Sequence, residues 1–341
     1  MMSVDLRSDT FTKPTPGMLK AMLEAEVGDD VFGEDPTVNR LEATMAALFG
    51  MEAALYCPSG TMSNQIAIKA HTHPGDEVIC DKTAHVYQYE AGGIAFNSGA
   101  QVKLLDGDHG RFTAAQVLAA INPDDIHKPP STLVCLENTA NRGGGSCYSL
   151  PDIQAIRAVC QEQGMALHLD GARLFNAMVA TGTRPAQYGE LFHSISVCLN
   201  KGLGCPMGSV LLGNREFIRK SRRIRKVLGG GTRQAGYMAA SGLYALENQV
   251  DRLATDHEHA RQLAAALTEK EFISGLLPVV TNIVIAETVP AYPAARFTEA
   301  LRQEGILAIP IAAHQFRLVL HLGVTEEMVQ HSIRVIRDLP G

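Results

Sequence analysis

Lys201 stands in the run Ser196-Val197-Cys198-Leu199-Asn200-Lys201-Gly202-Leu203-Gly204-Cys205-Pro206-Met207-Gly208-Ser209. An apolar approach, a single lysine and a glycine-broken exit describe a cation at the end of a buried strand, on a backbone open enough for a flat ligand. Lysine is rarely buried without a reason, and an ammonium stripped of water sheds its proton to leave an amine that attacks carbonyls. Upstream, Leu167-His168-Leu169-Asp170-Gly171-Ala172-Arg173 reads as a strand ending in an acid, with a basic residue three positions on. Taken singly, Lys201 reads equally well as a surface-loop lysine and Asp170 as a helix cap. As an ordered pair they form the constellation that pyridoxal phosphate requires, a Schiff-base lysine and an aspartate for the pyridinium nitrogen.

The elements that must position this pair alternate along the chain. Val38, Leu41, Met45 and Leu48 recur at helical spacing, between a start at Asp35-Pro36 and a stop at Gly50. Apolar stretches follow at 53–57, 78–80, 102–105, 133–136, 165–169, 195–199 and 210–212, with helical segments at 62–70, 114–121 and 153–163 between them. Short apolar strands separated by helices predict an α/β fold with a mostly parallel sheet covered on both faces. Ligands collect beyond the strand C-termini of such sheets, where Asp170 and Lys201 both fall. Beyond Gly231 one long helix is expected from about 235 to 271. A smaller unit follows, with strands near 282–286, 307–309 and 316–321 and helices near 297–304 and 326–337. The expected organisation is a large domain over 1–233 and a linking helix with a small C-terminal α/β domain over 234–341.

The 341 residues suffice for a large core and two domains, and the net charge of −6 argues against nucleic acid as the main partner. One basic segment runs from Arg215 to Lys226, opposed only by Glu216, and a triple glycine, Gly229-Gly230-Gly231, follows it. It reads first as a solvated helix face and second as a phosphate-facing or subunit-facing patch. Seven cysteines without a C-x-x-C pair suit a reducing compartment rather than a disulfide framework or a zinc site. The N-terminus has no apolar targeting core, and no stretch approaches the ~18 apolar residues of a membrane span. The expectation is a cytoplasmic protein without a membrane partner or a metal.

Several further segments carry a resemblance. They are Asp5-Leu6-Arg7-Ser8-Asp9-Thr10, the stretch Val27 to Asn39, Pro58-Ser59-Gly60-Thr61-Met62-Ser63-Asn64, Ala84-His85-Val86-Tyr87 and Glu90-Ala91-Gly92-Gly93. With Asp170-Gly171-Ala172-Arg173 and Lys201-Gly202-Leu203-Gly204, in this order and spacing from residue 5 to about 325, the chain resembles the low-specificity L-threonine aldolases. These are fold type I pyridoxal phosphate enzymes with an aspartate-aminotransferase-like architecture.

The resemblance implies a retro-aldol cleavage of L-threonine or L-allo-threonine to glycine and acetaldehyde. It implies that Lys201 holds the cofactor aldehyde, Asp170 its ring nitrogen, Gly60 and Thr61 its phosphate, and His85 its ring face, with Arg173 alongside. Arg173 and Arg317 would clamp the substrate carboxylate with help from Ser8, since a planar guanidinium suits bidentate binding. His85 is the first candidate for the base at the β-hydroxyl, and His127 the second. A homotetramer, a dimer of dimers with shared active sites, is also implied, with Lys226 and Arg233 reaching a neighbour's site. Three positions depart from the family pattern: Asn200 for a serine, Ala140 for a histidine and Thr232 for a methionine.

A β-eliminating lyase or an amino-acid racemase of the same fold is the nearest alternative, and product analysis separates them. A nicotinamide enzyme fits poorly, because Gly202-x-Gly204 leads into Pro206 and a strand rather than a helix. A non-enzymatic cofactor carrier would bind the cofactor without cleaving threonine.

Overall fold

The structure, a computed structural model, describes residues 3–340. After a two-residue strand, Val4–Asp5 (β1), the large sheet is built from Ala53–Cys57 (β2), Glu77–Asp81 (β3), Gln101–Leu105 (β4), Ser131–Glu137 (β5), Ala166–Gly171 (β6), Ser194–Cys198 (β7) and Ser209–Gly213 (β8). Their order is β2-β8-β7-β6-β5-β3-β4. Strands β4, β3, β5, β6 and β7 run parallel, and β8 alone runs against its neighbours β7 and β2. The chain between β7 and β8 is too short for a crossover helix, so it can return only antiparallel.

Each parallel step carries a helix across the sheet, as residues buried on both faces require. Gly60–His71 links β2 to β3, Ala114–Ala120 links β4 to β5, and Leu150–Glu162 links β5 to β6. The expected strands therefore stand where the apolar stretches placed them, extended by a residue or two into polar ends. One of those ends is Asp170, which sits opposite Glu137 of β5 and Ser196 of β7.

The smaller sheet consists of Ile273–Leu276 (β9), Ile283–Thr288 (β10), Ile309–Ala312 (β12) and Gln315–Val319 (β13), antiparallel in the order β12-β13-β10-β9, while Ile306–Leu307 (β11) pairs with β1 in parallel. Its core is aromatic, with Phe297 stacked on Phe316 at 4.1 Å and Phe272 on Tyr292 at 4.2 Å. The expected strand at 307–309 splits in two because its halves serve different partners. β9 carries no alternating pattern and escaped the sequence reading.

The expected long helix breaks into Gly236–Asn248 and Leu253–Thr268. The break has a packing cause. Ala239 and Leu243 of the first helix fill the large core, whereas Ala260, Leu263 and Leu267 of the second turn onto the small one, with Leu253 at its start still touching the large core. Val4 and Leu6 also belong to the small core, so the N-terminal arm leaves that core and crosses to the edge of the large sheet. Among the described residues, no helix is long and apolar enough to cross a membrane.

Candidate active site

Two connected cavities open at the C-terminal edge of the parallel strands. The inner one, about 140 Å³, is bounded by Ser59, Gly60, Thr61, Asp170, Cys198 and Asn200. The outer one, about 320 Å³, reaches the N-terminal arm and the small sheet through Ser8, Glu137, Asn141, Arg173, Ile309 and Arg317. Lys201, His85 and Ala172 line both. Lys201 stands three residues beyond the end of β7 and is half-buried rather than deeply buried. Among the described residues its Nζ has no hydrogen-bonding or ion-pairing partner, so the amine is free to meet a carbonyl at the junction.

The inner cavity fits pyridoxal phosphate at both ends. At one end begins the helix Gly60–His71, whose N-cap Ser59 accepts the Met62 N–H. The first N–H groups of a helix lack intrahelical partners and face its positive dipole end, a natural seat for a phosphate. Gly60 is required there for space, because a Cβ would lie 2.5 Å from Cys198 Sγ. At the other end the buried Asp170 carboxylate is held by the Ala172 N–H at 3.1 Å on Oδ1 and by Asn64 Nδ2 at 2.9 Å on Oδ2. A carboxylate fixed in this way is ready for a protonated ring nitrogen.

His85 begins the short helix His85–Gln88, and its backbone N–H donates to Glu137 Oε2 at 2.8 Å. Its Nδ1 lies 2.9 Å from Glu90 Oε1. Burial opposes a charge on His85, yet the Glu90 hydrogen bond and the nearby Asp170 hold its pKa above the ordinary histidine value. Because Glu90 accepts at Nδ1, the neutral ring keeps its hydrogen there and leaves Nε2 as the basic nitrogen. Glu137 is buried, and desolvation together with the Asp170 charge pushes its pKa up to about 7, although two backbone N–H groups oppose the rise.

The two arginines differ in kind. Arg173 donates from Nε and Nη2 to the two oxygens of Asp9, each at 2.7 Å, and both residues are buried. Arg317 donates from Nη1 to Asn141 Oδ1 at 2.8 Å and from Nη2 to the Arg7 carbonyl at 3.1 Å, while its buried Nε has no partner among the described residues. Burial, with the neighbouring charge of Arg173 adding to it, lowers the Arg317 pKa to about 10. Arg317 is thus the guanidinium short of an anion, and Arg173 is one already neutralised. Ser8 lines the same cavity, its Oγ accepting from the Thr10 hydroxyl and N–H, which leaves its own hydrogen to donate.

The structure brings together Lys201, Asp170, His85, Gly60, Thr61, Arg173, Arg317 and Ser8. It does not bring His127 to them. That residue is exposed, pairs with Asp125 at 2.8 Å and lies outside the lining of both cavities. Lys226 and Arg233 also lie outside, with Arg233 paired to Asp29. Ala140 is buried against Gly110, whereas Asn200 walls the inner cavity and Thr232 is exposed. Sequence reasoning gave no role to Asp9, Asn64, Glu90, Glu137 or Asn141, although the first three lie within the quoted motifs and the last two flank Ala140.

The chain as a whole is similar to known proteins. Residues 5–289 match the family model described as beta-eliminating lyase. A low specificity L-threonine aldolase of Escherichia coli K12 is 41% identical, covering 96% of this chain and 96% of its own. The chain belongs to the low-specificity L-threonine aldolase family. A probable low-specificity L-threonine aldolase 2 of Arabidopsis thaliana is 40% identical over 96% of the chain and 95% of its own length. The family's fold type I architecture is also that of a Leishmania major threonine aldolase structure, with a TM-score of 0.84 at 20% identity, covering 98% of each chain.

Proposed function

We propose that this protein cleaves L-threonine and L-allo-threonine to glycine and acetaldehyde, with pyridoxal phosphate held by Lys201, Asp170, Gly60, Thr61 and His85. The observation that carries the reading is the junction at Lys201, where an unpaired amine faces one cavity suited to the cofactor and another suited to an amino acid. When bound, the cofactor supplies an electron-withdrawing ring that takes up the electron pair of the breaking Cα–Cβ bond.

The remaining work falls to the chain. Arg317, with Asn141 and Ser8, receives the substrate carboxylate, and Arg173 borders the same space from its pairing with Asp9. Fixing the carboxylate orients the rest of the amino acid, so that Cα–Cβ rather than Cα–H is presented for cleavage. His85 Nε2 takes the β-hydroxyl proton while Glu90 holds the opposite nitrogen, an arrangement worth typically about 10²–10⁴-fold in rate. Asp170 keeps a proton at the ring nitrogen. Ile309 and Ile311 close the outer wall with apolar surface, which suits the small alkyl group of the departing aldehyde.

The active form is a homotetramer with shared sites. Ile126 and Phe96, 99% and 90% exposed, are available to such an interface. Seven free cysteines, six of them buried, fit a reducing cytoplasmic setting. The small core and the antiparallel sheet act as a second domain folded against the large one.

The test is acetaldehyde release from each substrate by protein loaded with pyridoxal phosphate. Lys201→Ala should abolish turnover, and pyruvate from serine would instead indicate a β-eliminating lyase. Mixing Lys201→Ala chains with Lys226→Ala/Arg233→Ala chains should regain activity where sites are shared, and independent sites would leave the mixture no better than the sum of its parts.

A further inference from the structure

Asn64 lies one turn into the helix Gly60–His71 and spends both amide hydrogens on carboxylates, donating to Asp170 Oδ2 and to Glu90 Oε1, each at 2.9 Å. One side chain therefore ties the acid assigned to the ring nitrogen to the acid that holds His85. An amide is nearly symmetric in shape, so its orientation is set by the carboxylates at one edge and by the partner at the other. That partner is His168 Nε2, 3.2 Å from Asn64 Oδ1. Behind it, His168 Nδ1 lies 2.8 Å from Ser194 Oγ, which in turn lies 2.8 Å from His71 Nε2.

We propose that His168, Ser194 and His71 are positioning residues, a one-way hydrogen-bond chain that locks the Asn64 amide with its N–H edge toward Asp170 and Glu90. The inference rests on the cofactor site assigned above.

The direction follows from counting donors. Burial lowers the pKa of His168 to about 4 and that of His71 to about 3, so each ring is neutral and carries one hydrogen. Asn64 Oδ1 can only accept, so the His168 hydrogen sits on Nε2. His168 Nδ1 must then accept from the Ser194 hydroxyl, and Ser194 Oγ is left to accept from His71 Nε2–H. Every hydrogen in the chain points toward the carboxylates. The reverse polarity would turn Asn64 Oδ1 onto two carboxylate oxygens, an arrangement of unpaired like poles in a buried setting. His168 and Ser194 are fully buried between β6, β7 and the helix, so no solvent can substitute for a missing link. The chain ends at His71, stacked on Phe217 at 4.6 Å beside a cleft that Arg219 and Arg223 also line.

The experiment compares wild type, His168→Leu, His168→Gln and Ser194→Ala, read by the visible absorbance of bound pyridoxal phosphate, its dissociation constant from apoprotein, and kcat and KM for threonine. His168→Leu should shift the balance of absorbance bands, weaken cofactor binding and lower kcat about tenfold with KM nearly unchanged, since the loss acts through Asp170 and His85. The glutamine amide can still donate toward Asn64, so His168→Gln should recover most of the loss. A folded His168→Leu with wild-type bands, affinity and kcat would overturn the chain. If that variant does not fold, Ser194→Ala decides: the same shifts, smaller in size, support the chain, and wild-type behaviour overturns it. Wild-type protein that takes up no pyridoxal phosphate would instead overturn the functional reading, and this inference with it.

Discussion

Arg173 meets Asp9 through two parallel hydrogen bonds of 2.7 Å, both partners buried, and joins the N-terminal arm to the loop after β6. Burial works against ionised Asp9, but the guanidinium outweighs it and holds the carboxyl below its usual range. Breaking a buried pair by deleting one partner typically costs about 3–5 kcal/mol, because the other charge is left uncompensated. Asp9→Ala should therefore destabilise the protein by about that amount in urea unfolding. Asp9→Ala/Arg173→Met, which removes both charges, should be distinctly more stable than the single variant.

Arg317 is expected to dominate substrate affinity. A hydrogen bond to a charged group contributes about 1.5–3 kcal/mol, which corresponds to roughly 10–150-fold in binding. Arg317→Ala should raise KM for threonine by about that factor while changing kcat less. Arg317→Lys should recover little, since a lysine cannot keep the links to Asn141 and the Arg7 carbonyl and also present a second donor to the substrate. Steady-state kinetics on the two variants checks both statements.

Gly60→Ala should damage cofactor binding through Cys198. The new methyl would fall 2.5 Å from the sulfur, and overpacking of this kind typically costs about 1–3 kcal/mol. Pyridoxal phosphate titrated into the variant should bind about tenfold more weakly. Adding Cys198→Ala removes the clashing atom and should restore part of the affinity.

Glu137 should give the fold a pH dependence of definite sign. With its pKa near 7 in the folded protein and near 4.5 when unfolded, the folded state holds the proton more tightly. Its contribution to stability is complete below about pH 4.5 and is lost as pH rises through about 7. Glu137→Gln imitates the protonated form at all pH values. The melting temperature of the variant, relative to wild type, should rise between pH 5 and pH 8, and a constant difference would contradict the assignment.

Much of the large domain was legible because its strands are short, apolar and punctuated. The apolar pattern places Ala53–Cys57 to the residue and puts Asp170 and Lys201 at one edge of the sheet. The small domain was harder to read. Ile273–Leu276 carries no alternation, and the long helix gives no warning of its break at Val250-Asp251, which separates Leu243 in the large core from Leu263 in the small one. His127, the second candidate base, stands outside both cavities of its own chain. Its type suits a base, but its loop leaves it exposed at the surface of the chain.

Residue types and their order by themselves pointed to a lysine and an aspartate at successive strand ends, while the glycine for a phosphate and the arginines for a carboxylate came with the family resemblance. The placing of the lysine and the aspartate is local, and local rules of strand and turn suffice to make it. Only the tertiary structure decided how the charges are shared. Asp9 takes up Arg173, Arg317 is left short of a counter-ion, and Glu90 meets Asp170 across Asn64. Partners so far apart along the chain are chosen by packing, and a buried charge takes its behaviour from whichever group packing sets beside it.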